Sequence, residues 1–268
     1  MNIISKLISL LIIMTISNIT QANVEISKYT TKNGIKVLYS KSENIPMIDI
    51  RITFDAGSNK DGDLKGISML THSLLDEGTS KMDAESIASV FESNGSVFNT
   101  SVNKDKSSIS LRSLTEKKYL NPSIKMLLSI LSDSVFPKNE MQLQKDRTLT
   151  SIEEDETDPA EIASNLFFKE IYGDYPYAYN TIGQKNTVNK ITRKDVLKFY
   201  KNNINIGNAS IVIISSLSKK EVIDIAEKIS KSLNSNVKES FKDMVLAGIN
   251  KEKHIYKKFS SEQAHIYI

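Results

Sequence analysis

Few side chains in this 268-residue sequence could carry out metal-dependent or acid–base chemistry. The three histidines, His72, His254 and His265, are too scattered to form a site together, because a catalytic zinc ion normally takes three protein ligands. The acidic run from Glu153 to Glu156 could bind a cation, but a solvated helix face that stops before Pro159 is the simpler interpretation. The chain has no cysteine, which excludes thiol nucleophiles, thiolate metal ligands and disulfides.

The composition is typical of a folded globular protein, with 40% hydrophobic and 25% charged residues. The 35 basic and 32 acidic side chains nearly cancel, to a net charge of +3, and they form no basic stripe. Nucleic acid is therefore not an expected partner. The sequence also lacks a glycine-rich phosphate loop and a dinucleotide-binding fingerprint.

The first 22 residues have the pattern of an export signal. Lys6 supplies the positive end, Leu7 to Ile16 form the apolar core, and Thr20-Gln21-Ala22 is a small-residue cleavage site. A bilayer-spanning helix needs ~20 apolar residues, so this core is too short to remain as an anchor, although an uncleaved anchor is the alternative. We predict a signal peptide at 1–22, an exported, periplasmic protein, and no stable membrane span after cleavage.

Apolar periodicity places the elements that must position any site. Strands are predicted at 24–31, 35–40, 48–54, 97–102, 107–114 and 209–215. Helices are predicted at 66–76, 83–93, 120–135, 140–156, 193–200 and 219–233, and the helix at 140–156 is interrupted at Pro159 and resumes through 171. This order indicates an α+β fold, with a mixed, mainly antiparallel sheet packed by helices. We predict one domain at 23–233, a linker at 234–254, and at 255–268 the first strand of a second, truncated α+β domain.

Several short segments follow one another in the order of one enzyme family. They are Asn33-Gly34-Ile35-Lys36-Val37, Ala56-Gly57-Ser58, Gly66-Ile67-Ser68 with Gly78-Thr79, Arg147, Asp158-Pro159, Tyr172-Gly173-Asp174-Tyr175-Pro176-Tyr177, Ile182-Gly183, Ile191-Thr192, and Phe199-Tyr200 before 209–214. Over 24–232 the chain thereby resembles the pitrilysin/insulysin family of zinc peptidases, which includes the mitochondrial processing peptidase. The resemblance implies the N-terminal half-domain of a metallopeptidase.

The resemblance also locates the positions where the family holds zinc. The segment from Gly66 to Thr79 has the frame of the family's H-x-x-E-H helix. Met69 stands at the first zinc ligand, His72 at the general base, and Ser73 at the second ligand. Counting back from the proline break puts the third ligand at Ser151. Thioether and hydroxyl groups are poor zinc ligands, so we predict no catalytic residues, no metal and no cofactor.

Three functions stay open at this point. The first is a non-catalytic homologue that forms a peptide-binding chamber with an active zinc-peptidase subunit and holds unfolded peptides by strand addition to a sheet edge. The family's Arg/Tyr substrate clamp would lie in a C-terminal half beyond this sequence. The second is a zinc-dependent endopeptidase with an atypical metal site that uses His72 with Glu153 or Glu154. The third is a non-functional, truncated relic.

Overall fold

The computed structural model describes residues 25–235, 252–260 and 263–268. The predicted signal peptide at 1–22 and most of the predicted linker at 234–254 lie outside this part of the chain. No helix within the described ranges is both long enough and apolar enough to cross a membrane.

A six-stranded mixed sheet forms the centre of the described structure, in the order β1-β2-β6-β3-β5-β4. Its strands are β1 (Ile26–Thr30), β2 (Lys36–Lys41), β3 (Met47–Phe54), β4 (Val97–Val102), β5 (Ser107–Leu114) and β6 (Ala209–Ser215). Only β2 and β6 run parallel, and the other neighbouring strands are antiparallel. The α+β prediction is confirmed.

The sheet has one buried face, as its alternating sequence predicts. In β3, the side chains of Ile48, Ile50, Ile52 and Phe54 are buried, whereas Arg51 between them is exposed. Residues that point to the same side of the neighbouring strands are buried too, because side chains alternate between the two faces along each strand. Helices cover this face, and the opposite face meets solvent.

Eight helices occur among the described residues. They are α1 (Ile67–Ser73), α2 (Ala84–Ser93), α3 (Lys117–Asp133), α4 (Lys138–Asp155), α5 (Pro159–Tyr172), α6 (Lys185–Val188), α7 (Arg193–Asn203) and α8 (Lys219–Ser232). Two 3-10 turns, Ser58–Lys60 and Pro176–Ala178, complete the elements. The short α6 and both 3-10 turns carry no strong periodicity, and the sequence analysis missed them.

One predicted helix is shorter in the structure than expected, and one predicted strand is not formed in its described residues. The helix predicted at 66–76 ends at Ser73, because the Leu74 N–H bonds back to the Thr71 and His72 carbonyls and the next residues form turns that keep Leu75 buried. The strand predicted at 255–268 is not formed in its described residues, 255–260 and 263–268. A strand needs a partner for its backbone groups, and these residues pair with no described strand.

Two glycines hold α1 against the loop that precedes α6. Gly66 and Gly183 both have positive φ angles, and a Cβ on Gly183 would stand 2.4 Å from the Lys65 carbonyl oxygen and 2.8 Å from the Gly66 Cα. The Thr187 hydroxyl donates to the same carbonyl at 2.7 Å. The two backbone segments can approach this closely only because neither glycine has a side chain.

Replacing Gly183 by alanine should therefore destabilise the fold much more than replacing Gly62. Gly62 also has a positive φ, but a Cβ there would meet no atom of the described residues within 4 Å. Gly62→Ala should cost about 1–2 kcal/mol, the usual penalty for a side chain in the left-handed region. Gly183→Ala should cost about 1–3 kcal/mol more, because the added methyl must push two backbones apart. Urea unfolding of the two variants measures the difference, and equal losses would contradict the contact.

Candidate functional site

Helix α1 carries three of the four predicted site positions and begins at a buried carboxylate. The Asp61 side chain accepts hydrogen bonds from the Gly66 and Ser68 backbone N–H groups at 2.7 and 3.1 Å. These groups lie at the start of the helix, where no carbonyl within the helix can receive them. Burial raises the pKa of Asp61 to about 6. From this start, α1 runs between α7, α4 and the edge strand β4.

His72, at the position of the family's general base, lies inside the protein core. Its side chain is 1% exposed, and Nδ1 stands 2.8 Å from the Ser68 carbonyl oxygen. Because a carbonyl only accepts, Nδ1 must carry the proton and Nε2 is left as an acceptor. Nε2 has no hydrogen-bond partner among the described residues. Burial lowers the pKa of His72 to about 4, so the ring is neutral near pH 7.

The other three positions carry no metal-binding chemistry. Met69 and Ser73 are half-buried on α1, and the Ser73 hydroxyl donates to the Leu70 carbonyl at 3.0 Å. Ser151 is exposed on α4. Over 25–235 and the two described tail segments, no group of three or more His, Cys, Asp or Glu side chains is placed to hold a metal ion. The donor set at the family's zinc positions does not fit zinc.

The acidic run on α4 lies at the surface, away from the buried environment of His72. Glu153 is exposed and pairs with Lys185 at 2.6 Å, and Glu154 is exposed as well. The exposed positions of Glu153 and Glu154 and the burial of His72 both argue against a metal site made from His72 and one of these carboxylates. An imidazole that is 1% exposed offers a metal ion no open approach.

Several polar residues near α1 were not found from the sequence. Burial raises the pKa of Asp76 to about 6, just beyond the helix end. The Gln144 side chain on α4 donates to Glu77 at 2.7 Å, which ties α4 to the same turn. A carboxylate after a helix and a glutamine on the next one are common, so no sequence signal distinguished them.

Three cations hold the loops around α1 by donating to main-chain carbonyls. Lys145 donates to the Asn189 and Ile191 carbonyls at 2.8 and 3.1 Å. Lys104, at the tip of the β4–β5 hairpin, donates to the Tyr177 and Tyr179 carbonyls at 2.9 and 2.8 Å. Arg193 donates to the Val135 and Phe136 carbonyls at 2.6 to 3.1 Å. Burial lowers the pKa of both lysines.

The strand next to α1 lies at an edge of the sheet. β4 pairs with β5 on one side and with no described strand on the other. The Thr100 hydroxyl on β4 donates to the His72 carbonyl at 3.1 Å, which links this edge to the site helix. An edge strand presents unpaired backbone groups to which an extended peptide can add.

Comparison with known proteins links the chain to one family. Residues 36–185 match the family model described as insulinase (peptidase family M16), and residues 190–268 match the model of the peptidase M16 inactive domain. The resemblance inferred from the sequence is confirmed. The match to the first family model ends at residue 185, and the match to the second begins at residue 190. β6 belongs to the second match, but it lies between β2 and β3 in the middle of the sheet.

The aligned region covers about half of each individual relative. An uncharacterized zinc protease of Rickettsia felis is 24% identical, over 82% of this chain and 52% of that protein. A Helicobacter pylori protein named non-peptidase homolog YmxG is 23% identical, over 75% and 45%. The crystal structure of a peptidase M16 inactive domain from Pseudomonas fluorescens aligns with a TM-score of 0.80 and 29% identity, over 82% and 53%. The chain spans about half the length of the relatives it matches.

The buried imidazole of His72 should make the protein sensitive to acid. Its pKa falls from 6.5 to about 4 on folding, so the stability that the neutral ring contributes is present above pH 6.5 and is lost as the pH falls through 4. Between these limits, the stability difference between wild type and His72→Gln should change by up to about 1.4 kcal/mol per pH unit. Urea unfolding from pH 7.5 to 4 measures it.

His254→Gln is the matched control, because the His254 side chain is 89% exposed. Asp61 and Asp76 have raised pKa values, so their contributions change in the opposite direction, lost as the pH rises through about 6. Both groups are present in wild type and in the variants, and their effects cancel in the difference. If His72→Gln and His254→Gln show the same pH dependence, His72 does not ionise on unfolding as described.

Proposed function

The chain belongs to the insulinase-type peptidase family M16, and we propose that it is a non-catalytic member that binds unfolded peptides and pairs with an active, zinc-bearing subunit. One observation carries the proposal. The helix that bears the family's active-site motif is formed and anchored, yet Met69, His72 and Ser73 stand at its chemical positions and the only imidazole among them is buried.

Peptide hydrolysis in this family depends on a water that zinc activates and a general base that takes its proton. Here a thioether and two hydroxyls stand at the three ligand positions. The residue at the base position, His72, is a neutral imidazole that is 1% exposed and cannot meet a substrate-side water. The same substitutions do not prevent peptide binding, because backbone pairing needs no catalytic residue.

The open edge of β4 supports peptide binding near the former active site. Its neighbour α1 contacts it through the Thr100–His72 hydrogen bond, so an added peptide strand would pass beside the site helix. Pairing along this edge would satisfy backbone groups of β4 that no described strand meets. Selectivity for unfolded peptide follows, because only an extended chain can pair in this way.

The pairing with a second subunit rests on the family. In paired members, one subunit keeps H-x-x-E-H and the other helps to form the chamber. A leader at 1–22 would bring this chain and its partner together in the periplasm.

Zinc uptake distinguishes this proposal from a rebuilt metallopeptidase. The mature chain (residues 23–268), purified from zinc-supplemented medium, should carry far less than one equivalent of zinc and should not cleave unfolded casein. Adding Met69→His and Ser73→His should produce measurable zinc binding, because the two imidazoles then lie at i and i+4 on one helix face. Inductively coupled plasma mass spectrometry measures the zinc content of the unmodified chain and of the double variant. Stoichiometric zinc in the unmodified chain would support an atypical metal site instead.

Affinity purification tests the partner directly. Tagged 23–268, expressed in its native host and recovered from the envelope fraction, should bring down a homologue with an intact H-x-x-E-H motif, identified by mass spectrometry. Gly183→Ala serves as the control. Because this variant is destabilised, the chaperones and proteases recovered with it are those that bind misfolded protein. If wild type and Gly183→Ala recover the same chaperones and no homologue, the chain is a relic.

A further inference from the structure

Helix α5 is apolar but poorly covered. It contains Ile162, Leu166, Phe167, Phe168 and Ile171, yet none of its fourteen residues is buried. Its main contact among the described elements is the 3-10 turn at Pro176–Ala178. A helix normally buries one apolar stripe against a core. An apolar helix with no buried residue is typical of a surface that meets another chain or segment.

The aromatic side chains of α5 and the following loop form a continuous surface. The rings of Phe167 and Phe168 lie 5.6 Å apart, and Phe168 is 6.1 Å from Tyr172. Tyr172 in turn lies 6.2 and 5.5 Å from Tyr175 and Tyr177. We call these five rings the aromatic face. All five are partly exposed.

Two residues of the β4–β5 hairpin contact the aromatic face at Phe168 and Tyr177. The Lys104 ammonium lies 5.2 Å from the centre of the Phe168 ring, and the same group donates to the Tyr177 carbonyl. The Tyr177 hydroxyl bonds to Asp105 on the same hairpin. A surface whose rings are already fixed loses little freedom when a ligand binds, which favours binding.

A segment of the chain itself lies on this surface. The Tyr267 ring is 5.6 Å from Phe167, at an angle of 37°, and Lys253 forms an ion pair with Glu170. Phe167 and Glu170 are three residues apart on α5 and therefore lie on one side of the helix. We call residues 252–268 the tail. Its described residues, 252–260 and 263–268, form no helix or strand.

Two large side chains of the tail are exposed to solvent. The Tyr256 and Ile266 side chains are 88% and 81% exposed, although both are large and apolar or aromatic. Among the described residues, its ring contact and ion pair engage Phe167 and Glu170, which both lie at the surface of α5. Surface contacts of this kind each contribute little free energy, so another segment of the same chemistry can compete for them.

We propose that the aromatic face of α5 is a binding surface for an extended peptide that offers an aromatic side chain and a cation, and that the tail occupies it in cis. The inference rests on the proposed peptide-binding function and names the peptide chemistry and its regulation. Phe167 receives the aromatic side chain, and Glu170 receives the cation. The tail competes with the incoming peptide, since a tethered segment has an effective concentration on the order of millimolar.

Fluorescence anisotropy tests the proposal with a labelled synthetic peptide that copies residues 252–268. The titrated proteins are the mature chain 23–268 and its full-length variants. Tyr267→Ala removes the ring that occupies the site in cis and should bind the peptide more tightly than wild type, about tenfold if the tail is seated ~90% of the time. Tyr256→Ala, which changes an exposed tail tyrosine, should bind like wild type.

Adding Phe167→Ala to Tyr267→Ala should abolish the gain, whereas adding Leu143→Ala, at an exposed apolar residue of α4, should leave it intact. Circular dichroism and urea unfolding verify that each variant is folded. The proposal is overturned if Tyr267→Ala binds no better than Tyr256→Ala, or if Phe167→Ala leaves binding unchanged. In that case, recovery of a zinc-bearing homologue by affinity purification would still support the proposed function.

Discussion

The close approach of the Gly66 and Gly183 backbones determines where the site helix lies. Gly66 begins α1, and Gly183 belongs to the loop between α5 and α6, so one contact joins segments more than a hundred residues apart in the chain. The Asp61 carboxylate satisfies the first N–H groups of the same helix. From this fixed start, α1 runs past β4 and α7, and His72 lies in the core.

This constraint explains how a motif can keep its frame without its chemistry. The glycines and threonine that flank the motif have structural functions. A Cβ on Gly78 would stand 2.8 Å from the Pro137 ring, and Thr79 pairs with Ser134 in an isolated bridge. The positions of the family's ligands have no such function here, because Met69 and Ser73 are only half-buried. Folding requires the frame, and only catalysis requires the ligands.

The sequence predicts the regular part of this fold well, for physical reasons. Alternation in β3 reflects one buried and one solvated sheet face, and Asn33-Gly34 reflects a turn in which Gly34 has a φ of 89°. The sequence could not show that Asp61 would reach the start of α1, because a carboxylate six residues before a helix has no characteristic pattern. Nor could it show Lys145 as a buried donor, since a lysine on an amphipathic helix is normally solvated.

At residues 255–268, the sequence pattern predicts a strand that the described residues do not form. Ile255 to Ile268 has the composition of a strand, but strand formation depends on a neighbour, and no pattern within the segment states whether one is present. The length of α1 was misjudged for a related reason. Leu74 and Leu75 fit an apolar helical stripe, yet they are buried from a turn that the packing of the helix end requires.

The cations Lys104, Lys145 and Arg193 give the protein an uneven response to ionic strength. Dissolved ions screen interactions between exposed full charges, with a Debye length of ~8 Å at physiological ionic strength. A shielded ammonium that touches a carbonyl oxygen is affected much less, because ions cannot enter between the two groups. Concentrated salt would loosen exposed pairs such as Lys185–Glu153 first. The loops around α1 would therefore lose less of their attachment in concentrated salt than the exposed ion pairs do.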